Sequence, residues 1–174
     1  MTRVLGLGHI GIYVQDLERM VSYYRDFLGM TVTKQNWDAG MVFLSAEPQA
    51  ADHEIALMRG RPSPEDPHLI NQISMRVADL AGVKEFHRRI KSKGYKIQRV
   101  VSHASAVGCY FYDPEGNVNE VFWLTGLPCW VPTSEPIDLE QDDESILAQV
   151  HAHWQRLRHV PVGGELAPAA VQAG

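Results

Sequence analysis

The stretch "LINQISMRV" at residues 69–77 has the same pattern as "GLGHIGIYV" at residues 6–14. Each is a short apolar strand that ends in Val, and each runs into a helix start, "ADL" in one copy and "QDL" in the other. In both copies a polar residue lies seven positions before the aspartate of that helix start, His9 in the first and Gln72 in the second. The repeat therefore sets a glutamine where the other copy has a histidine.

The similarity extends beyond these two strands. His9 and Gln72 are 63 residues apart, and the two aspartates are separated by the same distance. The later strands "HEIAL" and "NEVFW" also correspond, which aligns Glu54 with Glu120 at a separation of 66. Agreement at three points predicts an internal duplication of a β-α-β-β-β unit.

Each unit reads as a strand, a helix and three strands. Asp16 and Asp79 are suitable N-caps, and the apolar helical periodicity that follows them stops at Gly29 and Gly94. The strands that follow are "MTVTKQ", "GMVFLSA" and "HEIALM" in the first unit and "YKIQRVVS", "AVGCYFY" and "NVNEVFW" in the second. We expect an α+β fold in which two tandem βαβββ modules form a curved sheet that lines a cleft.

The predicted boundaries follow from the same pattern. A domain over residues 1–124 holds module one at about 4–59 and module two at about 69–124. The proline-rich "GRPSPEDP" at 60–67 is the linker between the modules, and "DPEG" at 113–116 is a tight turn before the last strand. A C-terminal extension over 125–174 contains a helix at about 142–158 and a disordered end.

Composition restricts the function classes. The formal net charge is −5 and the basic residues are scattered, which argues against a nucleic-acid partner. Cys109 and Cys129 form neither a disulfide framework nor a spaced metal motif, so they read as reduced thiols. There is no signal-peptide pattern and no apolar stretch of membrane-spanning length. We expect a soluble cytoplasmic protein with no membrane partner.

Three polar residues within apolar strands need a partner. His9, Gln72 and Glu120 lie on first or last strands of the duplicated units, where burial of a polar side chain is costly without compensation. A single strand histidine is commonly satisfied by hydrogen bonds in the fold, and an amide is a poor ligand. Because the three positions are in register with the repeat, a shared divalent metal explains them together.

The motifs "GHIGIYV", "DHEIAL", "NQISMRV" and above all "YFYDPEGNVNEVFW" resemble the vicinal oxygen chelate superfamily, which includes glyoxalases, bleomycin resistance proteins and extradiol dioxygenases. The resemblance covers about residues 4–124 and is strongest to a single-domain type I extradiol dioxygenase. It implies a ring-cleaving oxidoreductase of aromatic compound catabolism that acts on an aromatic diol with O2. The family holds Fe(II) on two histidines and one glutamate, and here His9, Gln72 and Glu120 match those positions.

The resemblance also implies roles for three catalytic residues. His53 matches the histidine that acts as acid and base, and Tyr110 matches the tyrosine that hydrogen-bonds a substrate oxygen. His103 lies near the family's loop histidine but is displaced by two residues, so its role stays open. The internal repeat favours Glu54 over His53 as the inward residue, and neighbouring strand residues point to opposite faces. We favour His53.

With Gln72 in place of a histidine, three hypotheses for the function stay open. An amide oxygen is a harder, weaker donor than imidazole, so the metal is Fe(II) or one of Mn(II), Zn(II) and Ni(II). The first reading is the dioxygenase. The second is a metal-dependent lyase or isomerase of glyoxalase type, because glyoxalase I also uses a glutamine ligand. The third is a non-catalytic member that binds a small molecule. Family members commonly form homodimers, and the tail helix can serve a partner or cap its own domain.

Overall fold

The computed structural model describes residues 2–27, 29–63, 69–112 and 117–160. The predicted turn at 113–116 and the predicted disordered end at 162–174 lie outside the described residues, as does the second half of the linker, 64–67. No helix within these ranges is long and apolar enough to cross a bilayer.

Both modules have the predicted element order. Module one comprises β1 (Gly6–Val14), α1 (Leu17–Ser22), β2 (Thr31–Asn36), β3 (Met41–Ser45) and β4 (Ile55–Arg59). Module two comprises β5 (Ile70–Arg76), α2 (Leu80–Ser92), β6 (Ile97–Ser102), β7 (Ala106–Tyr112) and β8 (Val118–Leu124). The extension adds the short β9 (Glu135–Pro136) and α3 (Asp143–Leu157).

One mixed sheet joins the two modules in the order β2-β3-β4-β1-β5-β8-β7-β6-β9. Within each module the first strand pairs in parallel with the last, β1 with β4 and β5 with β8. The first strands of the two modules pair antiparallel with each other, and Ile10 lies opposite Ile73 in this central pair. The α+β fold of two βαβββ modules with a C-terminal helix is confirmed.

The helix starts follow the capping chemistry in the sequence. The Asp16 carboxylate accepts a hydrogen bond of 2.9 Å from the backbone N–H of Arg19, and Asp79 accepts one of 2.7 Å from Gly82. The first helix is less regular than its periodicity predicts, because α1 gives way after one and a half turns to a π-helical turn at Tyr23–Phe27.

Each module has its own apolar core, and the extension adds to them. The core of module one contains Leu17, Val42 and Leu57, which are fully buried. The core of module two includes Ile146 and Val150 of α3, so this helix covers its own domain. A third, smaller cluster lies wholly around the extension and the turn after β6: Ala104, Cys129, Val131 and Leu157. Both cysteines are buried free thiols.

Strand pairing changes one correspondence taken from the repeat. Ile10 and Ile73, which are 63 residues apart, pair with Ile55 and Asn119, which are 64 apart. The structural counterpart of Glu120 is therefore Ala56 and not Glu54. The sequence alignment of Glu54 with Glu120 was wrong. The chain between the first and last strands differs in length between the modules, and the similarity of two short strands does not fix the size of this difference.

The N-cap of α2 offers a test of this local account. Replacing Asp79→Ala removes the acceptor for the Gly82 N–H and should lower the free energy of unfolding by about 1 kcal/mol, measured by urea denaturation. The matched variant Asp79→Ser keeps an acceptor oxygen and should lose much less. Equal losses in the two variants would contradict the capping role.

Candidate metal and substrate site

Three strands from both modules bring the predicted ligands together. The central β1–β5 pair sets Gln72 beside His9, with the amide nitrogen 2.9 Å from His9 Nε2. Strand β8 adds Glu120, whose Oε2 lies 3.3 Å from the same amide nitrogen and 3.7 Å from His9 Nε2. The Glu120 carboxylate is almost completely buried, and His9 is about nine-tenths buried. The three side chains therefore share one polar centre.

The spacing of these atoms fits a small divalent cation. Two ligands at right angles on bonds of about 2.1 Å lie roughly 3 Å apart, close to the separations of 2.9, 3.3 and 3.7 Å found here. Within the described ranges, no group of three or more His, Cys, Asp or Glu side chains is placed to hold a metal ion, so the amide has to complete the set. A cation requires the amide oxygen of Gln72 to face the centre.

The opposite orientation of the amide suits a centre without a cation. With its NH2 group inward, Gln72 donates toward His9 Nε2, Glu120 Oε2 and the Ser74 hydroxyl, which is 3.0 Å away. An amide has two N–H bonds, so three acceptors compete for them. Rotation of the Gln72 amide by a half turn would replace these hydrogen bonds with an oxygen atom that can bind a cation.

His9 is held in the form that a metal needs. Burial, and to a smaller extent the neighbouring imidazoles of His53 and His103, together lower its pKa from 6.5 to about 2. The ring is therefore neutral throughout the physiological range, and an unprotonated ring nitrogen can bind a cation without first losing a proton.

A glycine in β7 makes room for the carboxylate. Gly108 lies next to Glu120 in the adjacent strand, and a Cβ atom at this position would be 2.3 Å from Glu120 Oε1. Such a distance is far below van der Waals contact, so no other residue fits without moving the carboxylate. The sequence signal was a glycine in a strand interior, which often marks a close approach.

His53 lies directly beside His9, with the ring centroids 4.2 Å apart. Its Nδ1 donates to the Asp52 carboxylate at 2.8 Å, and in the described part of the chain its buried Nε2 has no hydrogen-bond partner. Asp52 also accepts a hydrogen bond of 2.9 Å from the ammonium of Lys34, whose side chain is buried. This chain of contacts orients the ring and leaves the Nε2 lone pair available.

The alternative residue Glu54 has a different environment. Its carboxylate accepts a hydrogen bond of 3.0 Å from the backbone N–H of Ala46. Both positions 53 and 54 precede β4, which starts at Ile55, so strict strand alternation does not govern them. Both residues line the cavity, but it is the His53 ring that contacts His9.

Tyr110 and His103 form a pair on the other side of the centre. Tyr110 lies opposite Glu120 in the β7–β8 ladder, and its hydroxyl is 3.0 Å from His103 Nε2. Burial raises the pKa of Tyr110 well above its usual value, and the negative charge of Glu120 adds to this. Burial also lowers the pKa of His103, although Glu120 opposes this shift. The phenol therefore stays protonated.

All six predicted site residues line one cavity of about 660 Å³. The aromatic side chains of Phe43 and Phe122 line it. Trp37 and Met75 pack against the cores instead. Further apolar lining comes from Leu7, Met41, Met58, Leu124, Val131 and Pro132.

Sequence reasoning missed four residues of this site. Lys34 and Asp52 stood out only weakly, as a charge inside the strand "MTVTKQ" and as the residue before "HEIAL". Gly108 was visible as a strand glycine, whereas Thr133 of the extension lines the cavity without any sequence signal. The tail histidine His153 is buried and hydrogen-bonded, and His151 is exposed.

The comparisons with known proteins identify the family of this chain. Residues 6–121 match the Glyoxalase/Bleomycin resistance protein/Dioxygenase superfamily, and the chain belongs to this family. The resemblance predicted from the sequence motifs is thereby confirmed. The superfamily includes enzymes such as dioxygenases and glyoxalases. A comparison with curated protein sequences finds no significant match.

Solved structures with this fold include enzymes of both kinds. A Mn(II)-bound glyoxalase from Novosphingobium aromaticivorans is 20% identical with a TM-score of 0.61, over 71% of this chain and 40% of that one. Homoprotocatechuate 2,3-dioxygenase from Brevibacterium fuscum, in complex with 3,4-dihydroxyphenylacetate, is 18% identical with a TM-score of 0.59, over 71% and 38%. The 2,2',3-trihydroxybiphenyl 1,2-dioxygenase of Sphingomonas wittichii is 20% identical with a TM-score of 0.57, over 81% and 45%.

These likenesses extend over less than half the length of each solved chain. At such identities they show the shared fold.

The Asp52 network predicts a measurable acid dependence of stability. Burial opposes the charge of Asp52, but the hydrogen bond from His53 and the charge of Lys34 outweigh it and lower the pKa from 3.8 to about 2. A carboxyl whose pKa is lower in the folded state stabilises the protein above its unfolded pKa, and this contribution is lost as the pH falls toward 2. It amounts to about 2 kcal/mol.

Urea unfolding of the wild type and of Asp52→Asn between about pH 5 and pH 2.5 measures this contribution. The variant should be less stable at pH 5 and should lose less stability on acidification, because position 52 no longer titrates. Asp38→Asn, at an exposed position, serves as the control and should follow the wild-type slope. Parallel slopes for Asp52→Asn and the wild type would show that the network does not act in this way.

Proposed function

We propose that the protein is a metal-dependent, extradiol-type ring-cleaving dioxygenase that acts on an aromatic diol with O2. One observation carries the proposal. At one cavity the centre of His9, Gln72 and Glu120 has His53 on the His9 side and the Tyr110 phenol on the Glu120 side. Among the described residues, His53 Nε2 has no hydrogen-bond partner. A base, a phenol and three donor atoms around a single point are the groups that this chemistry requires.

His9, Gln72 and Glu120 would hold the metal, with Fe(II) as the first choice and Mn(II), Zn(II) or Ni(II) as alternatives. Two neutral donors and one carboxylate match the charge of a facial triad. When bound, Fe(II) would supply Lewis acidity toward the diol oxygens and electron transfer to O2.

His53 is suited to remove a proton from a diol hydroxyl. Its Nδ1–H is committed to Asp52, so in the neutral ring Nε2 carries the lone pair. The buried Lys34 compensates the charge of Asp52, so the carboxylate can hold the ring orientation in a poorly solvated site. The same nitrogen can return the proton to the product later in the cycle.

Tyr110 is suited to orient the second substrate oxygen. Its hydroxyl lies 3.0 Å from His103 Nε2, with Glu120 and Arg99 as its other hydrogen-bonding neighbours. With its hydrogen directed to His103, the phenol oxygen keeps a lone pair that can accept a hydrogen bond from the substrate. With the pKa of Tyr110 raised by burial, the phenol contributes no second negative charge beside Glu120.

The size of the cavity indicates a substrate with more than one ring or with a bulky apolar substituent. An apolar cavity of about 150 Å³ is enough for one benzene molecule. The cavity here is about 660 Å³, and its apolar lining comes from both modules and the extension. A single-ring catechol would leave most of this volume filled with water.

The proposed reaction is tested with protein loaded anaerobically with Fe(II). Adding a panel of one-ring and two-ring diols and then air should consume O2 and form a yellow ring-opened product, with the higher kcat/KM for two-ring diols. Glu120→Gln and His53→Ala should each reduce kcat/KM by at least about 100-fold. Loss of activity in Glu120→Gln should accompany loss of iron, whereas His53→Ala should retain it.

Absence of O2 uptake across the panel would contradict the proposal. Turnover of thiohemiacetals with Zn(II) or Ni(II), without O2, would instead support a lyase or isomerase of glyoxalase type.

A second candidate function is non-catalytic binding of an apolar small molecule. It is favoured by the inward NH2 group of Gln72, which can satisfy His9 and Glu120 without a cation. In that case the cavity binds its ligand in a chain that retains no metal.

The variant Gln72→His separates the two candidates. An imidazole is a better donor to Fe(II) than an amide, so Gln72→His should bind iron roughly tenfold or more tightly than the wild type, measured by chelator competition. The control is Ser74→Ala, which removes a hydrogen-bond partner of the amide but none of the three proposed metal ligands. If the wild type and Gln72→His both fail to bind a divalent metal, the three side chains do not form a metal centre.

A further inference from the structure

The C-terminal extension supplies one wall of the cavity, although it lies outside the family match at residues 6–121. Val131, Pro132, Thr133 and Ser134 face the cavity. The segment then joins the sheet, because Glu135 and Pro136 pair with Ser102 and Val101 of β6. This wall is therefore attached to the strand that precedes His103.

A buried histidine of α3 ties this wall to the sheet. The His153 side chain is 1% exposed, and both of its ring nitrogens are within hydrogen-bond distance of a hydroxyl. Nδ1 lies 3.1 Å from Ser102 Oγ at the end of β6, and Nε2 lies 2.8 Å from Thr133 Oγ1 in the wall segment. The imidazole thus bridges the wall segment and the strand end.

Glu135 lies 3.6 Å from His153 Nε2 and pairs with Arg156 one turn further along the helix. The His153 side chain therefore has polar neighbours on β6, β9 and α3.

The backbone of Thr133 contacts the pair formed by His103 and Tyr110. Its carbonyl oxygen is 2.6 Å from His103 Nδ1, and a carbonyl can only accept. His103 Nδ1 therefore carries the proton, and Nε2 of the neutral ring is an acceptor. That acceptor takes the hydrogen of the Tyr110 hydroxyl at 3.0 Å. A proton on Nε2 instead would reverse this bond and make the phenol oxygen the acceptor.

We propose that Thr133 and His153 are positioning residues of the active site: His153 holds the wall segment so that the Thr133 carbonyl selects the Nδ1–H form of His103, which in turn directs the Tyr110 hydroxyl away from the substrate. The extension thus contributes positioning residues to the site. The tautomer and its cause do not depend on the proposed function, whereas the consequence for catalysis rests on it.

The test reads the ring nitrogens of His103 by ¹⁵N NMR in the full chain without substrate, with His103→Gln used to assign the signals. In the wild type Nδ1 should give the signal of a protonated nitrogen and Nε2 that of an unprotonated one. Thr133→Val keeps the volume of the side chain but removes the hydroxyl that His153 holds. It should move His103 toward the Nε2–H form, and Thr133→Ser should restore the wild-type signals.

A second pair of variants changes the other end of the bridge. His153→Leu removes both hydrogen bonds and should shift the His103 tautomer in the same direction as Thr133→Val. His151→Leu, at an exposed position on the same helix, should leave it unchanged. The proposal is overturned if His103 keeps its proton on Nδ1 in Thr133→Val, or if wild-type His103 carries the proton on Nε2. Thr133→Val decides the question if His153→Leu fails to fold.

Activity forms a separate arm of the test. If diol cleavage is observed, Thr133→Val should lower kcat on the order of tenfold with little change in iron content, and Thr133→Ser should recover most of it. A shifted tautomer with unchanged kcat would overturn the positioning role while leaving the structural link in place. The expected tautomers together with no activity in any variant would contradict the proposed function alone.

Discussion

The antiparallel pairing of β1 with β5 is the constraint on which the rest of the structure depends. It joins the two modules into one sheet and sets Ile10 opposite Ile73, close to His9 and Gln72. Because strand side chains alternate between faces, a slip of one residue would turn either polar side chain away from the cavity. Parallel pairing of β5 with β8 then places Glu120 beside Ser74 and completes the centre.

This arrangement buries polar groups that would be costly if they were isolated, and the protein compensates them in two networks. On one side the Gln72 amide lies between His9 and Glu120. On the other, Lys34, Asp52 and His53 form a line of charge-assisted hydrogen bonds, which ends at a His53 nitrogen without a partner in the part of the chain that the structure describes. Compared with apolar residues of similar volume, buried ion pairs add little stability, although neutralising one partner is costly. When every partner is present, such a network holds its side chains in one geometry.

The extension has two roles that its sequence did not separate. The apolar face of α3 packs on the core of module two through Ile146 and Val150, as its periodicity suggested. The same helix carries His153 on its buried side, where it bonds the segment that walls the cavity. A duplicated domain alone would leave the Tyr110 side of the cavity without this wall.

Much of the architecture was determined by local sequence. Apolar periodicity, the caps at Asp16 and Asp79 and the repeat of 63 residues defined the modules, because these signals arise from neighbouring residues. The same repeat, with its polar residues inside apolar strands, singled out His9, Gln72 and Glu120. Family motifs added His53, Tyr110 and His103.

Tertiary structure alone decided which atoms meet. The register of β4 against β1 placed Ala56, and not Glu54, as the counterpart of Glu120, and loop geometry rather than strand alternation placed His53 beside His9. Lys34, Asp52, Gly108 and Thr133 are far apart in the chain and have no common spacing. Their contacts depend on how strands from distant parts of the chain pair, and a short stretch of sequence does not determine that pairing.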